Sequence, residues 1–171
     1  MNEKEEWDIR YTRSMDVTYL KEWVRQPEVL AYFPMNTETE IEQALAAWMF
    51  FCRYQSSLTA TIGHTPCGIA TLFLMPYKKI SHQCSFKICV DSKYWRKGIG
   101  GSLIKNLKHL AKEHFHLEAI YTEVFDDNPL IPLLKKFGFY EFARQENYIK
   151  TKEGYKGRVC LIVDLIEGDK K

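Results

Sequence analysis

No stretch of the 171-residue chain approaches eighteen uninterrupted apolar residues, so nothing in it reads as a membrane-spanning helix. Met1 to Glu6 are acidic rather than basic on balance and lack the apolar run of a secretory leader. Cysteines are few and unpaired in pattern. Cys52, Cys67, Cys84, Cys89 and Cys160 form an odd set with no C-x-x-C spacing, which fits neither a disulfide framework nor a zinc site. His114 and His116 stand two apart, a poor geometry for joint metal binding, so no metal is implied. Excess charge is missing too. The formal net charge is +2, with Lys and Arg spread along the chain apart from the Lys170-Lys171 tail, which reads as solvated and argues against a nucleic-acid partner. Reduced thiols without a leader predict a cytoplasmic protein with no membrane partner.

What is present is a sizeable core. With 46% apolar and 27% charged residues, the chain suits one globular domain spanning 1–171. Trp7, Ile9 and Tyr11 alternate with polar neighbours as a half-buried strand does. Val17, Leu20 and Val24 share a helical face, Pro27 suits the first turn of a short second piece, and Thr37 with Glu40 has capping-box spacing for a longer helix reaching Cys52. Ser57 to Ile62 and Cys67 to Met75 flank a Gly63–Pro66 loop and read as a hairpin, followed by a strand ending at Val90. A helix after Gly98, a strand from Glu118 to Phe125, a short helix from Asn128-Pro129 to Gly138, and a terminal hairpin complete the order. The class is α/β: a mixed, mostly antiparallel central sheet with flanking helices.

The segment from Val90 to Gly101 carries the strongest chemical signal. Gly98, Gly100 and Gly101 remove the Cβ atoms that would hold a ligand off the backbone, and the helix they open presents unpaired N–H groups and a positive dipole end. This is a cradle for a phosphate. A dinucleotide fingerprint fails here, because Leu103 occupies the third glycine position and antiparallel strands come first. A nucleotide-triphosphate loop fails as well, since Lys97 precedes Gly98 and no Ser or Thr stands in register. The competing structural reading is that Gly100 and Gly101 only allow close helix packing.

Val90-Asp-Ser-Lys-Tyr-Trp-Arg-Lys-Gly-Ile-Gly100 resembles motif A of the GNAT superfamily of N-acetyltransferases, usually Q/R-x-x-G-x-G/A, with Trp95 standing where Gln or Arg is usual. Asn128-Pro-Leu-Ile-Pro-Leu-Leu-Lys-Lys-Phe-Gly138-Phe139 is similar to motif B, in which an Asn opens a helix that ends in Gly-Phe. The resemblance implies acetyl-CoA as co-substrate, its pyrophosphate on the amides of Lys97 to Gly101 and its pantetheine along Ile88, Cys89 and Val90. Arg96, Gly98, Ile99, Gly100 and Asn128 complete the expected cofactor set. The same resemblance allows a homodimer.

Acetyl transfer needs an uncharged amine, so a base or a proton path is required. Glu123 leads, because strand alternation aims it into the cleft between parted strands, although pairing with an Arg or Lys is an equal reading. His82 is second on its ordinary pKa, against the bland reading of a solvated loop histidine. Asp91 reads as a loop cap. Cys89 as an acetyl-carrying nucleophile is a minor option, since a buried thiol has a raised pKa. The Tyr that protonates the departing thiolate in many relatives is replaced by Leu134, and oxyanion stabilisation is expected from an N–H near Cys89 or Val90. The acceptor amine stays open among a protein N-terminus, a polyamine and an aminoglycoside, the last wanting an acidic groove that Glu22, Glu28, Glu38, Glu40, Asp126 and Asp127 could supply. From another class, a catalytically silent acyl-CoA-binding or sensor domain would keep the same cradle.

Overall fold

The structure, a computed structural model, describes residues 6–166; residues 1–5 and the Lys170-Lys171 tail lie outside them. Seven strands form one sheet in the order β1-β2-β3-β4-β5-β7-β6. They are β1 (Trp7–Tyr11), β2 (Ser57–Ile62), β3 (Thr65–Leu74), β4 (Gln83–Val90), β5 (Ala119–Phe125), β6 (Tyr140–Thr151) and β7 (Gly154–Asp164). Every neighbouring pair is antiparallel except β4–β5, which is parallel. That parallel pair needs a crossover, which α4 (Ile99–His109) supplies.

The helices take opposite faces. Leu103, Ile104 and Leu107 of α4 and Leu134 of α5 (Leu130–Lys136) join Ala70, Leu72, Phe86 and Ile120 from the sheet in one buried cluster. On the other face, Leu20, Trp23 and Val24 of α1 (Val17–Val24), Val29 of α2 (Pro27–Leu30), and Ile41, Leu45 and Trp48 of α3 (Glu38–Met49) pack on Ile69 and Cys89. The period-two rule assigns the strands accordingly: Ala70 and Leu72 point one way, Ile69 and Phe73 the other.

Local chemistry explains most boundaries. The capping box at α3 is present, Thr37 Oγ1 accepting from the Glu40 amide at 3.3 Å and Glu40 Oε2 from the Thr37 amide at 3.0 Å. Pro132 is tolerated because it falls in the first turn of α5, where its missing N–H has no intrahelical partner. Two hairpins are tighter than the sequence suggests. Pro66 lies inside β3, beside the register shift at Ala60/Thr61, where a residue without an N–H is accommodated. β7 begins at Gly154 rather than Arg158, with Gly154 at φ +129 supplying the turn. No helix among the described residues is long and apolar enough to cross a membrane.

Candidate active site

β4 and β5 pair over only three residues: Gln83 with Ala119, Cys84 with Ile120 and Ser85 with Tyr121. Beyond them, the Thr122 hydroxyl donates to the Phe86 carbonyl at 3.0 Å, a side-chain link where a ladder bond would stand. The strands then part. Main-chain groups alternate between the two edges of a strand, and Phe86 presents its carbonyl toward β5, so the groups of Ile88 and Val90 face the gap. Lys87, Cys89 and Asp91 turn toward β3 instead, and the Asp91 amide accordingly donates to the Cys67 carbonyl at 3.0 Å. The open-edge amides are therefore those of Ile88 and Val90. Of the two sites expected for an oxyanion donor, Val90 has the right direction and Cys89 does not.

The gap leads to the glycine turn. A single helical turn over Ser92–Tyr94, capped by Asp91 Oδ1 accepting from the Lys93 amide at 3.1 Å, brings the chain round. Arg96 at φ +64 and Gly98 at φ +98 then reverse it into α4. The helix has no side-chain cap at Gly98, and its first-turn amides have no intrahelical acceptor. A Cβ on Gly98 would stand 3.3 Å from the Trp7 ring, and one on Gly101 would stand 3.3 Å from the Phe137 ring. Close packing against α5 is thus one reason for Gly101, and it coexists with a place for Gly98, Gly100 and Gly101 in the lining of the cleft that gap and turn form. Trp95 fills the place of the usual polar residue by donating its indole N–H to the Val90 carbonyl at 2.8 Å.

Gap and turn together form a cleft of about 1110 Å³. α2 and the residues after it supply one wall through Val29, Tyr32 and Phe33, while α5 supplies Leu130, Leu133 and Phe137 to another. Gln26 fixes the first wall to the turn: its side-chain amide donates to Asp91 Oδ1 at 2.9 Å and accepts from the Ser92 amide at 3.0 Å. At the mouth, Arg158 donates to Glu123 Oε2 at 2.7 Å and to Gln145 Oε1 at 3.0 Å, with its guanidinium 4.3 Å from the centre of the Tyr148 ring.

Of the residues expected from sequence, Ile88, Cys89, Val90, Arg96, Gly98, Gly100, Gly101, Asn128 and Glu123 line this cleft. Ile99 does not, because its side chain is 1% exposed in the core. Nor does Lys97, whose ammonium lies 5.1 Å from the Tyr94 ring centre; any part these two play is through the main chain. His82 is outside the cleft altogether. It precedes β4 at the paired end, with its carbonyl accepting from the Glu118 amide at 2.7 Å, while the strands part at the opposite end. Burial pushes the Cys89 thiol strongly up, which removes its thiolate from consideration. Leu134 is completely buried and faces the core, so α5 offers no acid there. Among the described residues, no three His, Cys, Asp or Glu side chains converge on a metal position.

Among the lining residues that sequence reasoning did not assign to the site are Lys87, Tyr121, Tyr148 and Arg158. Burial pushes the Tyr121 hydroxyl pKa up, with Cys84 and Glu123 adding to it. Desolvation pushes the Lys87 ammonium pKa down, with Glu123 opposing. Alternation on β4 and β5 could have placed Lys87 and Tyr121 on the face shared by Glu123; nothing local marks Tyr148 or Arg158.

Fold and site define an α/β protein with a cleft in the opening of a parted parallel strand pair and helix amides at one end. The model of the acetyltransferase (GNAT) family matches residues 14–139. The chain belongs to that family, and it is a GNAT-type N-acetyltransferase. It is 27% identical over 135 residues to the L-amino acid N-acetyltransferase AaaT of Escherichia coli (strain K12), covering 77% of this chain and 81% of that protein. The structure of yncA from Salmonella typhimurium with its cofactor acetyl-CoA superposes with a TM-score of 0.79 at 16% identity, over 95% of each chain. The ribosomal-protein-S18-alanine N-acetyltransferase of Escherichia coli gives 0.75 at 15% identity, over 96% of this chain and 97% of that one. At such identities these two likenesses speak for the fold.

Proposed function

We propose that the protein transfers the acetyl group of acetyl-CoA to the primary amine of an acceptor by direct attack, within one domain. The observation that carries this reading is the continuity of two amide rows. The open edge of β4 at Ile88 and Val90 runs into the uncapped first turn of α4. The first row suits the amide groups of a pantetheine arm, and the second suits a pyrophosphate, with Arg96 beside it. Arg96, Gly98, Gly100, Gly101 and Asn128 around that turn form the cofactor end of the cleft, and the amides of Lys97 and Ile99 complete it.

Glu123 receives the acceptor. Its carboxylate exchanges Arg158 for the acceptor's ammonium, takes up the amine proton directly or passes it to water, and leaves the nitrogen lone pair free to attack the thioester carbonyl. The Val90 N–H then faces the developing oxyanion. Attack forms the C–N bond and moves a carbonyl electron pair onto oxygen; as that pair returns the C–S bond breaks, the nitrogen gives up its second proton to water, and the sulfur leaves as thiolate, a tolerable leaving group at a thiol pKa of about 8.5. His82 has no part in this, for its distance from the opening. Five free thiols support a reducing, cytoplasmic compartment. Thiol release from acetyl-CoA, measured over a broad panel of amines, tests the reading; release above the rate in buffer with one class of amine supports it.

One observation favours a second reading. Leu134 puts a buried hydrocarbon where many relatives carry an acid, as suits a domain that binds acyl-CoA without turning it over. Saturable acetyl-CoA binding with no thiol release across the panel selects that reading. Among acceptors, a protein N-terminus, a polyamine, an aminoglycoside and, by the name of the Escherichia coli relative, a free L-amino acid all carry a suitable amine.

A further inference from the structure

The pairing offset between β4 and β5 is constant at 36 residues over its three steps, and the same offset carried two steps further sets Lys87 opposite Glu123. These two side chains therefore stand on the two lips of the opening, on the same face of the sheet, one cationic and one anionic. They do not pair with each other. Glu123 binds Arg158. Lys87 is exposed to the cleft and, among the described residues, makes no hydrogen bond or ion pair; its ammonium rests 5.1 Å from the Phe73 ring centre. Arg158 is occupied by Glu123, Gln145 and the Tyr148 ring, so Lys87 is the uncommitted cation of the acceptor face.

The charge of the lining bears on which amine can enter. Its sole carboxylate is Glu123, and across from it and beside it stand Lys87 and Arg158; Arg96 belongs to the cofactor end, and Lys105 and Lys136 come from α4 and α5. A polyamine or aminoglycoside finds a single carboxylate there, already paired with Arg158, and Lys87 opposes a second positive charge. The acidic residues that could have formed a groove for a polycation lie outside the lining, and most are engaged elsewhere. Glu38 binds Arg25, Glu40 caps α3, Glu28 accepts from Ser92, Asp126 accepts from the Gly157 amide and Asp127 binds Lys156. An acceptor that brings its own carboxylate reverses the balance, since it satisfies Lys87 while its ammonium satisfies Glu123. Tyr32, Phe33 and Tyr148 leave apolar and aromatic surface for the rest of the molecule.

Resting on the acetyl-transfer reading, we propose that the acceptor is a free α-amino acid with an aromatic or large apolar side chain. Lys87 holds its carboxylate, and Glu123 its amine. Lys87 thereby sets specificity: a protein N-terminus, which offers an α-amine without an adjacent carboxylate, is rejected.

L-phenylalanine, L-phenylalaninamide and 2-phenylethylamine, compared as acceptors by thiol release, test this. Wild type is expected to favour L-phenylalanine by about 10- to 100-fold in kcat/KM, the worth of a charged hydrogen bond. Lys87→Ala should bring the three within about 3-fold of one another, through a raised KM for L-phenylalanine and with the KM for acetyl-CoA unmoved. Lys87→Arg should keep most of the preference. A wild type that acetylates the amide or amine as well as the amino acid, or a Lys87→Ala variant that keeps the preference, overturns the proposal. If acetyl-CoA binds and no amine is acetylated, the transferase reading fails by itself, and equilibrium binding of L-phenylalanine to the coenzyme A-loaded protein decides the carboxylate site. Binding lost at least about tenfold in Lys87→Ala sustains it, and no binding to wild type removes it.

Discussion

The Thr122 hydroxyl donates to the Phe86 carbonyl at 3.0 Å, and this bond is the last link between β4 and β5 before they separate. Thr122 is 4% exposed, so the carbonyl it satisfies has little water to turn to. Thr122→Val keeps the shape and removes the donor. The expected cost is about 1–3 kcal/mol in urea unfolding, the penalty for an orphaned buried acceptor. A loss below a few tenths would mean that the link is incidental to the parting of the strands.

Gly98 and Gly63 both have positive φ, at +98 and +58, but only Gly98 lies in the cleft. Ala at either position costs about 1–2 kcal/mol of backbone strain. A Cβ at Gly98 would additionally stand 3.3 Å from Trp7, while at Gly63 it would meet nothing within 4 Å. Thermal unfolding should show both variants weakened, and acetyl-CoA titration should show only Gly98→Ala losing affinity, by tenfold or more on the order of 1.4 kcal/mol. Equal affinities would place the ligand elsewhere.

Glu123→Gln removes the carboxylate but keeps its outline. Turnover should fall by about 10²- to 10⁴-fold, the range of general-base catalysis, with the acetyl-CoA dissociation constant unchanged. Undiminished kcat would return Glu123 to the plain role of partner to Arg158, whose pKa it holds up against the opposing effect of burial.

Asp16, the residue just before α1, is 1% exposed, and burial pushes its carboxyl up. Arg10 at 2.7 and 2.9 Å, the Arg13 amide at 2.8 Å and the Thr59 hydroxyl at 3.0 Å outweigh that and hold it below the ordinary carboxylate value. A depressed folded pKa means that the unfolded chain binds the proton first as pH falls. The stabilisation is therefore complete above about pH 4, where the unfolded carboxyl is ionised, and is lost as pH falls through the lower folded value. Asp16→Ala should cost about 3–5 kcal/mol at pH 7. The gap to wild type should narrow below pH 4; a gap independent of pH would mean that packing, not the charge, is what Asp16 contributes.

Burial raises the Cys67 thiol to about 11 and the Cys84 thiol to about 12, and pushes Cys89 up further. Cys89→Ala should therefore retain turnover within a few fold, roughly the effect of a packing change at a strand that bears the pantetheine. Mass spectrometry of the protein after incubation with acetyl-CoA alone should show no acetyl group on Cys89. A stoichiometric acetyl-cysteine would replace direct attack with a two-step route.

The sequence made the turn legible because phosphate recognition falls to the backbone, and a backbone that must approach a ligand needs glycine at fixed places such as Gly98 and Gly100. The sheet was legible from alternation at Trp7, Ile9 and Tyr11, and from the turn residues that break the later strands. What could not be read was non-local. Lys87 comes to stand across the opening from Glu123 only through a strand pairing offset by 36 positions, and Arg158 reaches Glu123 from 35 positions away. His82 looked plausible by its chemistry alone, but which end of β4 opens depends on where Thr122 falls against Phe86. Leu134 reads as helical from its sequence setting, yet only the packing of α5 shows that this position faces the core.

The parted strands and the uncapped turn are read as one binding surface for acetyl-CoA, and isothermal titration of acetyl-CoA into the purified protein tests that most directly. Saturable binding of one molecule per chain, with a dissociation constant on the order of micromolar and competition by coenzyme A, is the expected result. A titration that stays flat up to about millimolar ligand would contradict it.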